Sequence, residues 1–78
     1  MKIFVIYPSA RVGWELLREG DPESLHFQDR DAALDYGRTL AEANRPSALK
    51  VETPYGQVEA AWMFEAAGLV RPISAQHP

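Results

Sequence analysis

Residues 2–7, KIFVIY, carry apolar side chains on both alternations, which is the pattern of a strand covered on both faces. Pro8 and Ser9 end it, and a turn-forming stretch leads into residues 12–19, a second strand predicted to pair with the first as a hairpin. There Trp14 and Leu16 alternate with Glu15, Leu17 and Glu19. Gly20, Asp21 and Pro22 make the next turn, since glycine permits positive φ and proline presets its own. Leu25 and Phe27 then alternate with His26 and Gln28 in a short third strand whose polar alternate face suits an edge.

From Asp29 the period changes from two to three and four. Asp29 is placed to cap a helix whose Ala33, Gly37 and Ala41 recur every four positions, a small-residue stripe that lets the helix lie close to a sheet. Leu34, Tyr36 and Leu40 widen that apolar arc, and Asp31, Asp35, Arg38 and Glu42 lie opposite, the last two spaced to pair. Asn44, Arg45 and Pro46 end the helix. Leu49, Val51 and Thr53 restore the strand period. Thr53, Pro54, Tyr55 and Gly56 then suit a type I turn with glycine at the left-handed position. Residues 57–65 read as a strand with Val58, Ala60, Trp62 and Phe64 on one face; a helix there would put Glu65 on the apolar stripe and Phe64 in water. Residues 66–78 hold two prolines and no sustained period, so they are expected to be irregular.

The expected fold is therefore α+β. An antiparallel sheet of four to five strands, in the chain order β-β-β-α-β-β, has one helix packed on one face, with residues 1–65 as a single domain and 66–78 as an irregular tail. At 78 residues the core is modest, and association with a second chain is a common remedy. There is no cysteine, which removes disulfides, thiolate metal sites and thiol catalysis. Apolar residues at 46% against 24% charged ones are what a folded domain needs and a disordered chain lacks. The longest apolar run, residues 3–7, is too short for a membrane span or a secretory segment, so a cytoplasmic location is expected.

The order of motifs resembles a known family. GWELLREG at residues 13–20, Phe27 two residues before the Asp29 cap, the alanine-rich helix and a hairpin closing on Gly56 together resemble the small bacterial domain-of-unknown-function family numbered 2188. The resemblance covers about residues 3–62 and implies a fold and a bacterial origin, with no activity attached. The chain departs from it at Gly37, where alanine is more usual, and in its C-terminal extension.

Candidate chemistry is sparse. The only histidines are His26 and His77, and the acids nearest His26 have no ligand spacing, so no metal site and no cofactor is expected. Ser9, Ser24, Ser47 and Ser74 lie in no nucleophile elbow and read as turn or loop residues. Glu15 with Glu19, like Asp31 with Asp35, would do acid/base work only in a cleft that shifts their pKa values. A small enzyme is accordingly the last of three readings, and no catalytic residue is assigned. The second is a regulatory or single-stranded nucleic-acid-binding protein in which Trp14, Tyr55, Tyr7 and Trp62 stack bases while Arg11, Arg18, Lys50 and Arg71 follow the backbone. A net charge of −3 and the phase of Trp14 and Trp62 with Leu16, Val58 and Phe64 weigh against it.

The first reading is a non-enzymatic protein-interaction module. One helix covers one sheet face, so Phe4, Ile6 and Leu17, assigned to the other face, would form an apolar patch that calls for a partner. A second copy in a two-fold dimer, sheet to sheet or edge to edge, is the simplest, with Leu69, Val70 and Ile73 folding back over the face as the competitor.

Overall fold

A computed structural model describes residues 1–73. Seven elements follow one another: β1 (Lys2–Pro8), β2 (Trp14–Arg18), β3 (Ser24–Phe27), α1 (Arg30–Ala43), β4 (Ser47–Glu52), β5 (Val58–Phe64) and β6 (Val70–Pro72). The six strands form one sheet in the order β3-β2-β1-β4-β5-β6. The sheet therefore has more strands than the four to five expected, and it is mixed: β1 and β4 run parallel while every other pair is antiparallel. The cause is the connection. The chain leaves the sheet at the β3 edge, and α1 carries it back over the face to the centre, where β4 enters beside β1 in the same direction.

The helix is built as its spacing predicts. Asp29 Oδ1 accepts from the Ala32 N–H at 2.8 Å at one end, and the Asn44 N–H donates to the Ala41 carbonyl at the other. Ala33, Leu34, Gly37 and Ala41 are its buried residues. A β-carbon added at Gly37 would stand 2.9 Å from Leu49 Cδ1 and 3.2 Å from Ile6 Cδ1, so helix and sheet approach as closely as glycine allows. Arg38 does not pair with Glu42. Its guanidinium lies 5.6 Å from the centre of the Trp62 ring, and Glu42 meets Arg45 instead. Tyr36 sits at the rim of the apolar arc rather than within it, its ring 5.6 Å from that of Phe27.

Residues 57–65 do contain a strand, β5. The reading of residues 66–78 as irregular is overturned for β6, which pairs with β5 through Phe64↔Val70 and Trp62↔Pro72. Two equivalent turns close the last two hairpins. The Gly56 N–H donates to the Thr53 carbonyl and the Gly68 N–H to the Glu65 carbonyl, both glycines having positive φ. The second turn lacks the proline that advertises the first. It is held from outside by Arg45, whose Nη1 donates to the carbonyls of Glu65 (2.7 Å) and Leu69 (2.9 Å) while its guanidinium lies over the Phe64 ring.

The core lies between α1 and the sheet. Phe4, Ile6, Leu16, Leu49, Val51 and Phe64 meet Ala33, Leu34 and Ala41 there, with Trp14 and Trp62 packed against them. Phe4 and Ile6 are therefore not on the open face. Ile6 is fully buried beneath the helix, because the β1–β2 and β1–β4 registers align it with Leu16 and Val51. Both alternations of β1 are apolar, so pairing alone decides which set faces the helix. No helix among the described residues is long and apolar enough to cross a membrane.

Candidate functional site

Opposite the helix the sheet presents the other alternation of every strand. Register places Ile3, Ala48 and Met63 in one row and Leu17, Val5, Lys50 and Ala61 in the next, with Tyr7, Glu15 and His26 in a third. Of the three residues assigned to this face from sequence, only Leu17 lies here. It is half-buried, as are Ile3, Tyr7 and Met63, while Val5, Ala48 and Ala61 are buried although no described element covers them. The described part of the tail does not fold over this face: β6 extends the sheet sideways, and Leu69 is 63% exposed.

Charge crosses this strip at one place. Lys50 Nζ reaches Glu19 Oε2 at 3.2 Å; the two stand on opposite sides of β1, so the lysine stem passes over that strand, where Val5 is its register partner. A lysine laid flat in this way covers apolar surface with its methylenes and keeps its charge in water.

The third row opens into a shallow cleft of about 470 Å³ lined by Tyr7, Ser9, Arg11, Val12, Glu15 and His26. Glu15 and His26 both line it, and each has a hydrogen-bond partner close by. His26 Nε2 donates to the Val12 carbonyl at 2.6 Å, and Glu15 Oε1 accepts from the Ser24 hydroxyl at 2.8 Å. Glu19 is engaged with Lys50 and lines no part of it. Ser24 and Ser47 correct the loop reading given to the serines. Both lie in strands, and Ser47, fully buried, donates to the Ala41 carbonyl at 2.6 Å. Among the described residues no group of three histidine, aspartate or glutamate side chains is placed to hold a metal. Ser74 and His77 lie outside the described residues.

The side chains proposed for nucleic acid are scattered. Trp14 and Trp62 pack on the helix side, Arg18 flanks Phe4 on that same side, Tyr55 stands 89% exposed at the β4–β5 turn, Arg11 sits in the β1–β2 loop, and Arg71 is bound to Glu65 at 2.7 Å. Tyr7, Lys50 and Arg71 of that set lie on the open face, Arg71 as the register partner of Met63 and already paired with Glu65.

Sequence reasoning missed Ile3, Val5, Ala48, Ala61 and Met63. For Ile3 and Val5 the available signal is the second apolar alternation of residues 2–7.

Neither a curated protein nor a solved structure matches the chain. A family model matches residues 3–64, which span β1 through β5 and leave β6 outside. The chain thus belongs to the bacterial family described as "Uncharacterized protein conserved in bacteria (DUF2188)", in agreement with the resemblance carried by its Trp14 turn, Asp29 cap and alanine-rich helix.

Proposed function

We propose that this domain is a non-enzymatic protein-interaction module that works as a homodimer, two copies packing through their open sheet faces. The observation that carries the reading is the apolar strip of Ile3, Val5, Tyr7, Leu17, Ala48 and Met63, which no described element covers. Its relief suits a two-fold contact. Ile3 and Tyr7 make a ridge on β1, and Ala48 with Ala61 makes a trough beside it, so the ridge of one copy can enter the trough of the other. Six strands span about 24 Å and five residues about 17 Å, so two copies would bury on the order of 1,000 Å² with side-chain relief, the lower end for stable interfaces. The expected dimer is of micromolar strength.

Light scattering and sedimentation on the full-length chain test this. A dimer at about 100 μM, converted to monomer by Leu17→Lys or Met63→Lys with unchanged circular dichroism, is the expected result. A monomer at that concentration, or a dimer indifferent to both substitutions, overturns it.

A further inference from the structure

The two edges of the sheet are finished differently. The β6 edge is three residues long, ends in Pro72 and carries Arg71, all devices that discourage another strand from pairing. The β3 edge, Ser24-Leu25-His26-Phe27, has no proline, lysine, arginine or bulge, and no described strand pairs with its outer side. Beside it α1 stops short of full cover. The helix reaches Phe27 through Tyr36 but leaves Leu25 46% exposed. Between Leu25 and the C-terminal half of α1 lies a groove of about 230 Å³ whose apolar lining is Phe4, Leu16, Leu25 and Leu40. Asp21, Glu23, Arg18 and Asn44 form its polar rim.

We propose that the β3 edge takes up an extended segment of a partner protein as an added strand, with one apolar side chain in the groove and basic residues two positions to either side. A residue paired with Leu25 lies about 5 Å from it on the same face and so enters the space between Leu25 and Leu40. Residues two positions away point to the same side, one toward Glu23 and Asp21 and the other past Phe27 toward Asp29. The charge of the segment follows from its surroundings. On the rim Asp21 and Glu23 stand against Arg18, and residues 21–35, which form β3 and its flanks, add Asp29, Asp31 and Asp35 against Arg30, itself paired with Glu59. This surface is separate from the open face, so it stands whether or not the module is a dimer.

The test is a titration of isotope-labelled full-length protein with the probe peptide acetyl-Lys-Thr-Leu-Thr-Lys-amide, followed by amide chemical shifts. Saturable shifts at residues 24–27 and at Leu40, with a dissociation constant near or below about 1 mM, are expected. Replacing both peptide lysines by glutamate should weaken binding roughly fivefold, and 0.5 M salt should have a similar effect. Leu25→Lys, at an exposed position, should abolish the shifts while leaving the spectrum of the fold intact. No shift at residues 24–27 with several millimolar peptide, or shifts confined to the open face, would overturn the proposal. So would concentration-dependent shifts at residues 24–27 without peptide, which would assign the edge to a second copy of the chain.

Discussion

Both faces of the sheet are apolar along β1, yet they are built by different rules. Beneath α1 the side chains are large where the helix is small: Ile6 and Leu49 meet Gly37, and the contact is close enough to exclude a methyl group without movement. On the open face nothing sets a matching shape. Among the described residues, Val5, Ala48 and Ala61 are buried there without a covering element, and the stem of Lys50 crosses beside Val5. The covered face holds the fold and is open only at its β3 margin, at the groove between Leu25 and Leu40. The open face is covered by no described element.

The sharpest break of that contrast is Leu49→Ala. Leu49 is fully buried, and its loss should cost about 3 kcal/mol or more, a large share of the 5–15 kcal/mol typical of whole domains. Thermal unfolding should shift down by roughly 15 °C. A shift as small as that of a surface residue would mean that the helix does not seat where the small-residue stripe puts it.

Gly37→Val should follow at about 2–3 kcal/mol, because its β-carbon alone would already sit within 2.9 Å of Leu49. Combined with Leu49→Ala it should cost less than the sum, by about 1 kcal/mol, since the second change removes the obstacle to the first. Strict additivity in denaturant unfolding would argue against that close approach.

These effects also explain what could be read from the sequence and what could not. The spacing of Ala33, Gly37 and Ala41, the Asp29 cap and the Thr53 to Gly56 turn are local patterns, and the structure keeps them. The face taken by Phe4 and Ile6 is not local. In a strand apolar on both sides, parity is set by its register with β2 and β4, and register depends on contacts far along the chain. The parallel β1–β4 pair has the same origin in the crossover of α1. Of the open face only Leu17 was legible, because β2 alone among the central strands sets an acid, Glu15, beside an apolar residue on that side. β6 escaped notice because its turn carries Gly68 without a proline and is secured by Arg45, about twenty residues earlier in sequence.

Arg45 gives the next largest effect. Arg45→Ala should cost about 1–2 kcal/mol, concentrated at the β5–β6 hairpin, where the Glu65 and Leu69 carbonyls lose a charged donor. Hydrogen exchange should quicken at Glu65, Gly68 and Ile73, whose N–H groups close that hairpin, while amides under α1 stay protected. Arg45→Lys should recover less than half of the loss, since an ammonium cannot reproduce a planar fork lying over Phe64. Uniform loss of protection across the sheet would show that β6 is part of the covered core rather than an addition to its edge.

The smallest expected effect is the most direct comparison, because it concerns the residue next to Leu49 in the chain. Lys50 points to the open face, and its pair with Glu19 is between side chains 29% and 48% exposed, a setting in which an ion pair contributes about 0.5 kcal/mol or less. Lys50→Ala should therefore lower stability by well under 1 kcal/mol, even with the loss of its methylenes over β1. One position along the same strand, the cost falls several-fold, and the difference is the presence of α1. Should Lys50→Ala approach Leu49→Ala in chemical denaturation at dilute, monomeric concentration, the open face would have to be counted as a second core, and its availability to a partner would fall with it.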